Sequence, residues 1–580
     1  MNRLSIMIKW APPIFLLLLT GAACTKLDVK TYSSIPSSIF WQNAAEIAAG
    51  KAPSYSQLGN VVGHSNTGNQ IEITSDEMVY PTRGTDWYDG GQWARMYYHT
   101  ADPSDVDGNL NGTWSDLNNG AGDCNFVIYT LQNLPAGTDV NLQADLAEMA
   151  TLRSLFYYKA MDLWGNIPYV TNFKVDPTTV TNIPQAQVFD SLELCLKTNL
   201  PYLSSTVGTA TYGKVTKYMA FSLLARMYLN AQHYTGTARW ADCIAMCDSV
   251  INSGNYSLEQ DYFDVFHGVN NTSKENIFVA PMSGTQPIAG NGIVQASIQF
   301  NSALTFGIPC CGYGNNGAST TRDFYQYFDT TSTYYDSTVT VNGRTVINHT
   351  RTFNDQRTAQ YLIGQQFQGD GITNYPPYKY WIVDNNDPCC TYDGDASTAL
   401  TTRIGDDYNS IKSPVIYFDT MTHFTASTTE FTFRHAGLRN IKYWPQPGPN
   451  NGSMGNAWVI FRLADILLMR GEAEYNLGMT GPALADFNTV RARAYSGSHA
   501  HDWVAGDLTP DNILAERGRE LAWEDVRRTD LVRFGKYTMA RNYPPKPADA
   551  GDNHTIFLPI PNTQLNTNKN LTQNPGYPKN

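Results

Sequence analysis

Phe461-Arg462-Leu463-Ala464-Asp465-Ile466-Leu467-Leu468-Met469-Arg470-Gly471-Glu472-Ala473-Glu474 is the stretch whose reading decides the fold. Leu463, Ile466, Leu467, Ala473 and Leu477 fall on one helix face, at the three- and four-residue spacing of an amphipathic helix. Gly478 breaks the pattern, and Ala483, Leu484, Phe487, Val490 and Ala494 begin a neighbouring helix. Two such helices joined by a short turn have roughly the size of a tetratricopeptide repeat. Upstream the pattern returns. Leu146, Met149, Leu152, Phe156, Ala160 and Leu163 follow Leu142. Ala220, Leu223, Leu224, Met227, Tyr228 and Ala231 precede a partner helix from Trp240 to Ile251. Thr509 as N-cap, Pro510 at the first helical position and Asp511 in the first turn announce another helix. The chain therefore reads as mainly α, a tetratricopeptide-like helical scaffold.

From about 261 to 455 the character changes. Gly, Pro, Asn, Thr and Tyr dominate, and only short β-prone runs such as Glu275–Ala280 and Thr338–Val341 interrupt them. This segment reads as a large, irregular, loop-rich insertion containing short strands, set between scaffold parts 24–260 and 456–580. Loops of that length in a compact protein generally carry function. Recognition is expected there, and rigidity from the helices.

The bulk composition narrows the ligand. A net charge of −12 opposes nucleic acid, whose binders present a basic face. No basic cluster addresses anionic lipid. Charged residues make up only 16% while tyrosine reaches 35 copies, which suits recognition of neutral polar ligands by stacking and hydrogen bonds.

The first residues set the compartment. Arg3 and Lys9 precede an apolar run from Trp10 to Leu19, and Gly21-Ala22-Ala23 leads into Cys24. Residues 1–23 read as a signal peptide, with an apolar run too short for a membrane span. Ending on cysteine indicates lipoprotein processing, so Cys24 is the expected lipid anchor and the only membrane attachment. Outside the cytoplasm disulfides are permitted. The adjacent pairs Cys310-Cys311 and Cys389-Cys390 either close on themselves or staple two loops together, and spacing leaves both pairings open. Cys195, Cys243 and Cys247 lie in apolar helical patterns and read as buried thiols.

Several motifs, in order, resemble the SusD/RagB family of outer-membrane nutrient-binding lipoproteins. The 461–474 helix is followed by Asn488-Thr489-Val490-Arg491-Ala492-Arg493. Next come Glu516-Arg517-Gly518-Arg519-Glu520-Leu521-Ala522-Trp523-Glu524 and Arg527-Arg528-Thr529-Asp530-Leu531-Val532-Arg533. Leu558-Pro559-Ile560-Pro561 and Gln573-Asn574-Pro575-Gly576-Tyr577 close the series, and Trp164-Gly165-Asn166-Ile167-Pro168 fits near the other end. Asp465 stands where the family usually has Glu, and Gly518 where it usually has a basic residue. The resemblance covers both ends but matches the insertion only loosely. It implies a non-catalytic, lipid-anchored protein at the outer-membrane surface. Such a protein captures oligo- or polysaccharide and delivers it to a SusC-like TonB-dependent transporter, without a cofactor.

The stretch from Ser75 to Trp93 interleaves Trp, Tyr, Asp and Arg with glycines, the composition of turns. A sugar presents an apolar C–H face to an aromatic ring and a rim of hydroxyls to polar groups. With the resemblance placing this region beside the family's glycan site, Trp87 is the expected platform, Asp86 and Arg83 its hydroxyl partners, and Trp93 a further ring. Core packing is the competing reading for both tryptophans. Tyr313, in the Phe306–Tyr325 loop, is expected to add another aromatic. The Tyr375–Trp381 cluster reads better as strand packing. Asp384, Asp387, Asp393 and Asp395 offer oxygen ligands of the kind calcium takes, although their spacing departs from the EF-hand loop and a solvated acidic loop competes. The Arg/Glu run from Glu516 to Arg533 reads as interlocked pairs on one helix face. No nucleophile elbow, HExxH or phosphate-cradling glycine loop is present. Glycan capture leads, with peptide capture and a surface glycosidase as the readings from other directions.

Overall fold

The computed structural model describes residues 40–578 apart from 83–86, 105–106, 267, 269, 284–290, 299–313, 342–343, 363, 366–367, 370–378, 382–416, 419–436 and 444–453; for strand residues 334–351, 364–381 and 417–418 only the backbone is described. Cys24 and residues 1–23 therefore lie outside the described residues, as do Cys310, Cys311, Cys389 and Cys390.

Helix hairpins carry the fold. Leu142–Trp164, Lys217–Leu229, Trp240–Ile251, Leu463–Asn476 and Thr480–Ala494 stand where the apolar period places them. The helix Trp240–Ile251 packs on both Lys217–Leu229 and Leu463–Asn476, and the last packs on Thr480–Ala494. Segments on either side of the insertion thus join one continuous stack. Its interior is formed by Leu223, Leu224, Cys243, Cys247, Ile466 and Leu468, all without exposed surface. Cys195 is half-buried instead, and Cys124 is another buried free thiol. Thr509 caps Pro510–Leu521 as expected, its side chain accepting from the Asn512 N–H.

One long helix, Gly108–Gln132, arises from a glycine- and asparagine-rich stretch of poor intrinsic propensity. Packing decides it. Leu110, Trp114, Leu117, Ala121, Cys124 and Leu131 form its buried stripe. Gly120 lets the backbone close on Leu142–Trp164: a Cβ there would stand 2.5 Å from the Phe156 ring. Tertiary burial outweighs propensity here.

The C-terminal tail clasps the N-terminal hairpin. Trp164 Nε1 donates to the Pro559 carbonyl at 3.0 Å, and Asn574 Nδ2 donates to the carbonyls of Trp164 and Leu558 at 2.9 and 2.8 Å. The Gln573 amide closes a two-way bond with the backbone of Ile560, at 2.7 and 2.8 Å. Motifs far apart in the sequence meet at one place.

Within the insertion, Ser332–Val341 and Arg344–Phe353 form a hairpin with Ser332 opposite Phe353. Lys379–Trp381 pairs with Arg344–Phe353 on one side and Gln368–Gly369 on the other, so this aromatic run is an inner strand. Asn276–Ala280 pairs antiparallel with Trp458–Arg462, Val279 opposite Val459.

What roots the insertion in the scaffold is ionic. Glu516 accepts from Arg357, Arg491 and Arg519 at 2.8, 2.7 and 2.6 Å. Glu520 accepts from Arg462 at 2.6 Å, from Arg357 at 3.1 Å and from Arg493. Glu524 holds Arg462 at 2.8 Å and Lys442, while Glu275 bridges Arg462 and Arg493. The side chains of Arg357, Glu516 and Glu520 are wholly buried. The expected pairing along one helix face therefore holds for Glu516 with Arg519 and for Asp530 with Arg533, each three residues apart. The other partners come from other elements, because the carboxylates point into the core. The two unusual scaffold residues also find reasons. Asp465 pairs with Arg226 at 2.7 Å and Arg517 at 3.3 Å. A Cβ at Gly518 would meet Arg527 at 2.8 Å.

Burial alone would raise the Glu520 carboxyl, but Arg493, Arg462 and Arg357 outweigh it and hold it down to about 2. A depressed folded value means stability that is complete above the ordinary value of 4.5 and lost as the pH falls towards 2. Glu520→Gln is expected to destabilise the protein by about 3–5 kcal/mol at neutral pH, since it leaves guanidiniums buried and uncompensated. Denaturant unfolding followed from pH 7 to pH 3 checks this: the variant should lose less on acidification than the parent.

Candidate functional site

The 75–93 stretch is pinned at both ends before its aromatic residues appear. Ser65 caps the helix Asn66–Thr74 by accepting from the Gly68 N–H at 3.1 Å. Met78–Val79 then pairs antiparallel with Ser319–Thr320 of the insertion. Thr320 N–H also donates to the Leu438 carbonyl at 3.1 Å. After residues 83–86 the backbone turns left-handed, with φ of 60° at Trp87, 40° at Asp89, 66° at Gly90 and 83° at Gly91. Two of these are not glycine, which marks a strained turn held by its surroundings. The helix Gln92–Tyr97 follows and carries Trp93.

Four rings gather here. Tyr80 stacks on Trp93 with centroids 4.7 Å apart and planes 19° apart. Trp87 leans on Tyr80 at 4.9 Å and meets Trp93 near edge-on at 5.7 Å. His64 lies parallel to Tyr80 at 6.1 Å and hydrogen-bonds its hydroxyl at 3.0 Å. Burial keeps His64 below its ordinary value, so it is neutral at physiological pH.

The two tryptophans differ in access. Trp93 is only 6% exposed and spends its N–H on Asp89 at 2.7 Å. Its faces are thus taken up by packing, the competing reading for this residue. Trp87 is half-buried and donates its N–H to the Asn315 carbonyl at 2.8 Å. Beneath it, a Cβ at Gly317 would come within 2.6 Å of the indole, so glycine makes the seat. Asn315, Asn316 and Gly317 are themselves fixed by N–H bonds to the carbonyls of Gln295, Ile298 and Ala296 at 2.7–2.8 Å. Arg439 adds a bond to the Asn316 side chain at 2.7 Å. The adjacent Tyr88 is 46% exposed. Of the other expected site residues, Arg83, Asp86 and Tyr313 lie outside the described residues, as do Asp384, Asp387, Asp393 and Asp395. Among the described residues no group of three or more His, Cys, Asp or Glu could hold a metal ion. His64, Asn315 and Gly317 were not singled out by sequence, because nothing in spacing or composition joins residues 64 and 317 to 87.

A model of the SusD family matches residues 222–577, well over half of the chain. The chain belongs to the SusD family. The starch-binding protein SusD of Bacteroides thetaiotaomicron is 25% identical over 482 residues, covering 78% of this chain and 76% of that one. The SusD-like protein P25 of Formosa agariphila is 22% identical over 507 residues, covering 86% and 84%. Among solved structures, a laminarin-binding SusD-like protein superposes with a TM-score of 0.65 at 19% identity, covering 92% of this chain and all of that one. The surface glycan-binding protein A of Bacteroides thetaiotaomicron, in complex with laminarihexaose, gives 0.62 at 18% identity over 92% of this chain and 99% of that one. The helical architecture is the one these SusD-like structures share.

In this SusD-family chain two carboxyls flank the end of the helix Asn66–Thr74, and neither faces solvent. Glu72 and Glu77 are buried to 1% and 0% exposure. Glu72 accepts from the Asp525 N–H at 2.5 Å. Burial lifts Glu72 well above the ordinary range, with the Glu77 charge adding to it. Burial likewise lifts Glu77 to about 7, against the pull of Glu72 and Arg527. Groups so placed hold protons for the core and are out of reach of a ligand.

Two outcomes are expected. A folded value of about 7 at Glu77, against the ordinary 4.5, is stabilising at low pH and is lost as the pH rises through 7. Glu77→Gln should therefore gain stability over the parent more at pH 8 than at pH 5, read from denaturant midpoints. Trp93→Ala should cost about 3–5 kcal/mol. Trp87→Phe, which keeps a ring but drops one hydrogen bond, should cost about 1 kcal/mol. Thermal unfolding of the pair measures the contrast.

Proposed function

We propose that this SusD-family member is a non-catalytic, lipid-anchored glycan-binding protein of the outer-membrane surface. It captures oligo- or polysaccharide and passes it to a SusC-like TonB-dependent transporter. The observation that carries this reading is the Trp87 indole: half-exposed, held at its N–H by Asn315 and backed by Tyr80 and Trp93. A ring fixed before the ligand arrives loses little freedom on binding, which is what a stacking platform needs. Tyr88, next in the chain, presents a second exposed ring. The names of the relatives support the ligand class: one binds starch, one laminarin, and one is seen with laminarihexaose.

Around this platform the roles are assigned as follows. Arg83 and Asp86, just ahead of Trp87, bond sugar hydroxyls, and Trp93 supports the platform from within. Tyr313, two residues before Asn315, adds an aromatic from the insertion 261–455. Cys24 carries the acyl chains, with 1–23 removed, and the scaffold 24–260 and 456–580 faces the transporter. No helix among the described residues is long and apolar enough to cross a membrane. Calcium at Asp384, Asp387, Asp393 and Asp395 is a lesser proposal resting on their oxygen ligands alone. Hydrolysis asks for two carboxyls facing one cleft. Glu72 and Glu77 are sealed in the core, and Asp89 accepts the Trp93 N–H.

Calorimetry of the chain from Thr25 to Asn580 against a panel of glycans and a peptide pool tests the reading. Binding to one polysaccharide class without product release is expected, and Trp87→Ala should weaken it at least about tenfold, or 1.4 kcal/mol. Binding of peptides alone, release of shorter sugars, or full affinity in Trp87→Ala would overturn it.

A further inference from the structure

A second concavity is built without any residue of the Trp87 cluster. It lies where the segment 207–216 passes the strand Asn276–Ala280, and its volume is about 330 Å³. That is within the range of sites for small ligands. Buried Phe278 and Val279 line its base. Tyr212 and Tyr256 line it as half-buried rings, and Tyr256 is set by an edge-to-face contact with Tyr218 at 5.6 Å.

The polar groups of this groove have a definite preference. Asn276 is oriented by its Nδ2, which donates to the carbonyls of Val265 and Asn270, each at 3.3 Å. Its Oδ1 is buried and accepts no hydrogen bond. Lys274 is the single charged residue of the lining, and the rest of its polar surface is amide and hydroxyl from residues such as Thr209, Asn255, Asn271 and Ser273. With no carboxylate to attract a cation, two rings to cover an apolar face and exposed amides and hydroxyls to meet a rim of sugar hydroxyls, the chemistry fits a short saccharide.

We propose that this groove is a second saccharide-binding site, separate from Trp87, in which a sugar ring lies against Tyr212 or Tyr256 and its hydroxyls bond the side chains of Thr209, Asn255 and Asn271. Its ligand class rests on the proposed function; its location does not. Two linked points of contact on one polymer raise the effective concentration of the second, so a weak groove adds to the hold on a long chain.

Hydrogen exchange read by mass spectrometry tests the two sites apart, with maltohexaose and laminarihexaose as probes at millimolar concentration. The expected result is slowed exchange at 207–216 and 271–279 with at least one probe, retained in Trp87→Ala and lost in Thr209→Trp, which fills the groove from an exposed turn. Tyr212→Ala serves as an independent variant, and unchanged thermal unfolding of both shows that the fold persists. Slowed exchange around Trp87 alone would overturn this inference and leave the proposed function standing. Slowed exchange at 207–216 that vanishes in Trp87→Ala would reduce the groove to an echo of the first site and equally overturn it. Silence at both places would overturn both readings for these sugars.

Discussion

Three carboxylates on one short stretch, Glu516, Glu520 and Glu524, hold this molecule together. They sit in the core opposite Arg357, Arg462, Arg491, Arg493 and Lys442, which arrive from the insertion, the strand Trp458–Arg462 and the helix Thr480–Ala494. Removing charges from water is expensive, and attraction repays it only where every partner is in place. Such a lattice is intolerant of partial assembly. It therefore acts as a registration device: the insertion can enter the scaffold only where Arg357 and Lys442 find their mates. Hydrophobic burial would accept many nearby arrangements, and the ion lattice accepts few.

The position of the Trp87 ring follows from that registration. Asn315 and Gly317 belong to the insertion, whereas Trp87 belongs to the N-terminal part, and the two meet only because the insertion is rooted correctly. The positive φ at Trp87 and Asp89 is unfavourable by itself. Pairing of Met78–Val79 with Ser319–Thr320, the Asn315 bond and the tilted contact with Tyr80 overdetermine it. Strain at the exposed ring is thereby balanced by order beneath it, and the ring is set before any ligand arrives.

Much of the scaffold was legible because its helices repeat an apolar face: Leu463 to Leu477 and Leu142 to Leu163 need no tertiary information. The helix Gly108–Gln132 has a stripe as regular, yet its glycines and asparagines mask it, since their low propensity is overcome only by the Phe156 ring and its neighbours. The Arg/Glu run was rightly structural but wrongly local: i,i+4 spacing says which residues share a face and not whether that face looks inward. At the site, Trp87 and Trp93 stood out by composition. What separates them is burial, and burial depends on Tyr80, on Gly317 more than two hundred residues away, and on a carbonyl at Asn315. A backbone acceptor leaves no trace in side-chain pattern, so that part of the site could not be read.

The clasp between the first hairpin and the tail also governs time. Asn574 bonds the carbonyl of Trp164 across 410 residues of chain, and Pro559 takes the indole proton across 395. Contacts of such separation form late and slow folding, because the loop between them must first be closed. Until residue 574 is delivered, the end of the Leu142–Trp164 helix has no cover and the N-terminal hairpin stays open at its base. The end of the Leu142–Trp164 helix and the tail around Asn574 therefore gain their order together.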